Sequence, residues 1–132
     1  MTDVLNTIDR FWDARIAGDK AALRALLADN CTFEMVGANA FADPTMVGPA
    51  PAIPAADDLI DAFKCESLER LDSIVDGQKA AIASRITVSY RGGPPVTCEM
   101  CDLWEVDGSG KIKSLRQFVD TALVGRMMSG RV

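Results

Sequence analysis

Two short reversals govern what this chain can become. Arg91-Gly92-Gly93-Pro94-Pro95 and Asp107-Gly108-Ser109-Gly110 interrupt a C-terminal half that otherwise reads as strand. The runs they separate, residues 79–91, 96–106 and 111–121, are long and carry β-branched and aromatic side chains. Strands joined by loops this short pair antiparallel, because a parallel pair needs a long crossover. The spacing therefore predicts a three-strand antiparallel meander.

The N-terminal half has the other period. Val4, Leu5, Ile8, Phe11, Trp12 and Ile16 recur at helical spacing, with Thr2 or Asp3 as cap and Gly18 as stop. Asp19 caps a second helix bearing Leu23, Leu26 and Leu27. Residues 31–36 read as a strand. Residues 37–54, rich in Gly, Ala and Pro, read as a long loop of the kind that forms lids or pocket walls. A third helix is expected over 56–64, with Leu59, Ile60 and Phe63 inward, and a strand over 68–75. No repeat or internal boundary is visible. The organisation predicted is one α+β domain over residues 1–124 and a weak tail over 125–132.

Turn length sets which residues face each other. With Gly92 to Pro95 as the first loop, Arg91 pairs with Val96. Arg85 then lies opposite Asp102, and Thr87 opposite Met100. With Asp107 to Gly110 as the second loop, Asp102 lies opposite Leu115, and Met100 opposite Gln117. One face then gathers an acid, a guanidinium and a carboxamide among Thr87, Met100, Trp104 and Val119. The other face, with Ile82, Ile86, Val88, Leu103 and Phe118, is apolar as well. Helices cover one face, and a second copy of the chain is expected to cover the outer one, as a homodimer. A single bulge within 79–91 would turn Arg85 outward.

Composition narrows the chemistry. The 132 residues include no histidine, which removes Ser-His-Asp and Cys-His catalysis and His-ligated metals. Proton transfer near neutral pH falls to a carboxylate of raised pKa, a thiol, a lysine or the lone Tyr90. The net charge of −5 argues against nucleic acid and against an anionic membrane surface. The opening MTDVLNTIDRFWDARIAGDK has no basic start and no apolar stretch, so a cytoplasmic location and free thiols are expected. Cys98-Glu99-Met100-Cys101 is not read as a metal site, because strand residues three apart point to opposite faces. No phosphate loop, dinucleotide fingerprint or nucleophile elbow is present, and neither metal nor cofactor is expected.

Ala17-Gly18-Asp19, the run from Leu23 to Asp29, and Thr32-Phe33-Glu34-Met35 resemble the opening of SnoaL-like and ketosteroid isomerase-like proteins. Cys101-Asp102-Leu103-Trp104-Glu105-Val106, Gly110-Lys111-Ile112 and Phe118-Val119-Asp120 resemble their closing hairpin. The resemblance implies a cone-shaped curved antiparallel sheet wrapped around N-terminal helices, the cystatin-like, nuclear transport factor-like α+β barrel. It also implies a homodimer and a deep apolar pocket. The superfamily holds isomerases, cyclases, dehydratases, epoxide hydrolases and non-catalytic binding modules, so it names no single reaction. Of the three ketosteroid isomerase positions, the base matches Met35 and the enolate-binding tyrosine matches Phe11, and only the protonated aspartate matches, at Asp102. Steroid isomerisation is therefore not expected. Against limonene epoxide hydrolase the arginine matches Arg85, while the two working aspartates fall at Thr87 and Gln117.

These readings converge on a small apolar molecule held in one pocket. Asp102 is the candidate acid–base group, since apolar neighbours raise a carboxyl's pKa. Arg85 is its candidate partner, either polarising the substrate or neutralising Asp102 as an ion pair. Phe11, Arg15, Phe33, Met35, Phe63, Thr87, Met100, Gln117 and Val119 are the candidate ligand-binding residues. The leading expectation is a cofactor-independent isomerase, cyclase, lyase or hydrolase-type enzyme. The rival is a non-catalytic pocket protein or dimeric interaction module of the same fold.

Overall fold

The computed structural model describes residues 3–40 and 48–132. Helix α1 (Val4–Ala17) starts where the Asp3 carboxylate accepts from the Leu5 amide at 3.0 Å. Thr2, the other expected cap, lies outside the described residues. The helix stops at Gly18, whose φ of 68° is left-handed and lets its amide reach back to Ala14 and Arg15. Asp19 caps α2 (Lys20–Ala25) by accepting from the Ala22 amide at 3.0 Å.

Strand β1 (Leu27–Met35) starts four residues before the expected position, because its first residues already align with the last strand. Within the expected loop, Ala38–Ala40 form a 3-10 turn and β2 (Ala50–Pro51) pairs with Thr32 and Phe33. The lid expected across 37–54 falls partly on residues 41–47, which lie outside the described residues. Helix α3 (Ala52–Ala62) also starts early. Pro54 does not prevent this, because amides of a first helical turn need no intrahelical acceptor.

Strands β3 (Phe63–Asp76), β4 (Lys79–Tyr90), β5 (Val96–Val106) and β6 (Ile112–Phe118) complete a six-stranded sheet of order β2-β1-β6-β5-β4-β3. Every pairing is antiparallel except β1 with β6, which is parallel. The concave side closes over α1. Ile8 is 1 % exposed there, and Phe11, Trp12 and Trp104 meet edge to face at 5.0 to 6.4 Å. No described helix is long and apolar enough to cross a membrane.

The β4–β5 register corrects the sequence reading. Asp102 faces Ile82, and Arg85 faces Glu99, three positions from its expected partner. Pairing begins only at Val88 with Val96, because Tyr90 follows β3 by pairing with Phe63 and the Arg91 amide bonds to the Ala62 carbonyl. Arg91 and Gly92, at φ of 45° and 79°, then make the reversal. An odd shift flips a strand's faces. Arg85 and Thr87 therefore lie on the outer face, while Ile82, Ser84 and Ile86 turn inward. No bulge in β4 opposite β5 is involved.

The β5–β6 register also shifts, but by two. Asp102 faces Gln117 where Leu115 was expected. The Asp107 carboxylate accepts from the Ser109 and Lys111 amides at 2.9 and 3.0 Å, and a bulge follows at Glu105/Val106. An even shift leaves every face unchanged.

Helix α4 (Thr121–Met128) spans the expected boundary at residue 124, capped by Asp120, which accepts from the Leu123 amide at 3.0 Å. Gly125 lowers helix propensity and hides the helix in the sequence. Burial of Val124 and Met127 secures it.

Candidate functional site

The inward alternation of β5 builds the site. Met100, Asp102 and Trp104 are 5 %, 1 % and 2 % exposed. Beside them on β6, Leu115 and Gln117 point the same way. Above this wall lies a cavity of about 90 Å³. That is several times the space one water molecule needs, so it suits a small organic molecule.

Phe11 and Arg15 enter the cavity wall from α1, Phe33 and Met35 from β1, and Phe63 from the start of β3. Met100, Gln117 and Val119 line it from the closing hairpin. Phe63 was expected on a helix, but it opens a strand and still faces inward. The flipped β4 adds Ile86 and Val88, and α4 adds Val124 and Met127. Sequence reading missed the first pair through the register, Met127 through the expected tail, and Val124 because no helix was read there. The wall is almost entirely apolar. Its strongly polar side chains are Arg15 and Gln117.

Asp102 stands behind this wall rather than in it. Met100 and Gln117 border the open space, and the carboxyl itself does not. Burial pushes its pKa up to about 7, and the Gln117 amide opposite holds back part of that rise. Asp102 Oδ1 has no hydrogen-bond partner among the described residues. Two further buried polar atoms on the same sheet face, Ser84 Oγ and Trp104 Nε1, share that condition. Gln117 Nε2 instead donates to Met100 Sδ at 3.5 Å. A thioether is a weak acceptor, so the amide is readily drawn to a better one.

The anticipated Arg85–Asp102 pair does not exist. Arg85 bonds Glu69 and Glu99, each at 3.1 Å, on the solvent side of the sheet. Thr87 is beside it, with its hydroxyl 2.8 Å from that of Thr97. Both corrections follow from the three-residue register shift.

Arg15 is the one guanidinium at the cavity among the described residues. It is 8 % exposed and donates from Nη1 to the Phe63 carbonyl at 2.7 Å. Burial lowers its pKa, and the nearby Cys65 thiol partly compensates. Cys98 faces the cavity while Cys101 is exposed on the opposite face, as strand alternation requires. Cys31, buried in the core, has its thiol pushed up to about 11.

Comparison with known proteins adds the wider frame. The family model described as SnoaL-like domain matches residues 8–115. No curated protein matches the chain. Solved structures share its architecture at low identity. An NTF2-like protein of unknown function from Burkholderia pseudomallei superposes with a TM-score of 0.76 at 16 % identity, covering 98 % of this chain and 99 % of that one. An LEH-like epoxide hydrolase from M. tuberculosis gives 0.70 at 18 % identity, covering 96 % and 87 %. SalBIII, an epoxide hydrolase/cyclase-like enzyme with a role in pyran ring formation in the polyether salinomycin, gives 0.71 at 20 % identity, covering 90 % and 92 %. These likenesses show the cone-shaped fold.

Proposed function

Taking as premise that this chain belongs to the SnoaL-like family, we propose that it is a cofactor-independent acid–base enzyme acting on a small, largely apolar metabolite. The observation that carries the reading is Asp102, a carboxyl 1 % exposed, raised to about 7, and without a cation partner among the described residues. At that value both protonation states are populated near neutral pH, as general acid–base work requires. The step proposed is proton transfer next to a carbonyl. The Asp102 carboxylate takes the proton from the carbon next to the carbonyl and the electron pair moves to the carbonyl oxygen. As the pair returns, the carboxylic acid gives the proton back to that carbon or, where a carbon–carbon double bond is conjugated with the enolate, to the far carbon of that double bond. Gln117 exchanges its contact with the Met100 sulfur for one with the ligand, beside the Asp102 carboxyl it faces across the ladder.

One observation favours a second reading, a non-catalytic pocket protein. Asp102 is absent from the cavity wall that Met100 and Gln117 form. Deuterium exchange separates the two. Under the first reading the protein accelerates incorporation from D2O next to the carbonyl of small cyclic ketones, and D102N abolishes it. Saturable ketone binding with no exchange in the wild type would establish the second.

The fold's outer face supports a further part of the proposal, association of two copies. Leu103 and Phe118 are exposed there, each by nearly two fifths. Sedimentation should give twice the monomer mass, and L103D should reduce it to one.

A further inference from the structure

A guanidinium has five donors and one permanent charge. Arg15 uses one donor on the Phe63 carbonyl, and it meets no carboxylate among the described residues. Four exposed arginines of this chain are paired differently. Arg24 bonds Asp57, Arg70 bonds Asp9, Arg85 bonds Glu69 and Glu99, and Arg116 bonds Glu34. The arginine that burial should most strongly have matched with an acid meets none among the described residues.

The nearest candidate counter-charge is Cys65. Its thiol is 2 % exposed, and burial raises its pKa more than Arg15 lowers it, so it stays neutral near pH 7. The position of Arg15 in the last turn of α1 accounts for some stabilisation by the helix dipole, but not for the turn of the side chain into an apolar cavity. A buried charge is tolerated where something pairs with it.

We propose that Arg15 receives an anionic oxygen of the ligand, so that the molecule taken by this cavity is a small apolar carboxylate. Its hydrocarbon body lies among Phe11, Phe33, Phe63 and Met100, and its carboxylate accepts from the free donors of Arg15. The inference names the substrate class for the cavity of the proposed function and rests on that reading of the cavity. It does not depend on Asp102 being catalytic.

The test compares 3-phenylpropionate with 3-phenylpropionamide, which share one shape and differ in charge. Calorimetry at about pH 6 keeps the ligand carboxylate ionised and Asp102 mostly protonated. The wild type should prefer the carboxylate by about tenfold or more, the size of a charge-assisted hydrogen bond. R15M should lose that preference and keep its affinity for the amide. A measurement on the wild type alone covers the case in which R15M does not fold. The Arg15 side-chain Nε–H resonance should shift with the carboxylate and stay in place with the amide. Equal affinity of the wild type for the two compounds, an unmoved Arg15 resonance, or no saturable binding of the carboxylate overturns the proposal. Turnover is not read, so failure of the acid–base role of Asp102 leaves this result standing.

Discussion

Asp102 faces Gln117 directly across the β5–β6 ladder, an acid and an amide buried together with no charged side chain between them. The pairing makes the carboxyl's protonation a matter of burial and one amide, not of an ion pair. Its consequences are measurable.

The first concerns stability against pH. A carboxyl whose folded pKa is about 7, against an ordinary value of 3.8, binds its proton more tightly when folded. Its contribution is complete below about pH 4, declines as pH rises, and is gone once pH passes about 7. Wild type should therefore lose on the order of a few kcal/mol across that window relative to D102N. Urea denaturation of both proteins at pH 5 and pH 8 checks this. Parallel stability profiles would refute the raised value.

Gln117 supplies the opposing effect. Replacing its amide with an apolar group, Q117L, removes the interaction that favours the Asp102 carboxylate. The Asp102 titration followed by carboxyl-carbon NMR should move further up. A downward move would show that the amide instead favours the neutral acid.

Arg85 should be irrelevant to that titration. Its partners Glu69 and Glu99 are largely exposed, so R85M should cost less than about 1 kcal/mol. It should leave both Asp102 and ligand binding unchanged. A titration shift of Asp102 in R85M would restore the pairing that the register removes.

Trp104 tests the core. It is 2 % exposed and packs edge to face on Phe11 and Trp12. W104A should destabilise the protein by roughly 3–5 kcal/mol through the cavity it leaves. W104F should cost less, because the indole Nε1–H that it deletes has no partner among the described residues. Thermal unfolding distinguishes the two.

Thiol labelling reads burial independently. Cys101 is exposed, whereas Cys31 and Cys65 are 3 % and 2 % exposed with raised pKa values. A disulfide reagent should modify Cys101 first in the native protein and reach Cys31 and Cys65 only on unfolding. Prompt labelling of Cys31 would contradict its place in the core.

Much of this was legible in the chain. The helix at Val4–Ala17 shows its cap, its period and its stop, and the two reversals announce a meander. The closing hairpin places Met100, Asp102, Trp104 and Gln117 on one face even though the predicted register was two residues off, since two residues is a full strand period. The second register error was three residues, and it exchanged Arg85 and Thr87 for Ser84 and Ile86.

Local periodicity and turn chemistry belong to neighbouring residues, and so the order of elements, the alternation along β5 and the inward direction of Asp102 are written in the amino-acid order. Which residue stands opposite Asp102 is settled elsewhere, by Tyr90 and Arg91 bonding to Phe63 and Ala62 and so delaying the pairing of β4 with β5. The isolation of Arg15 has the same origin. Its carbonyl partner lies 48 positions along the chain, and only the closing of the sheet over α1 brings that carbonyl near, with no carboxylate of the described residues in contact.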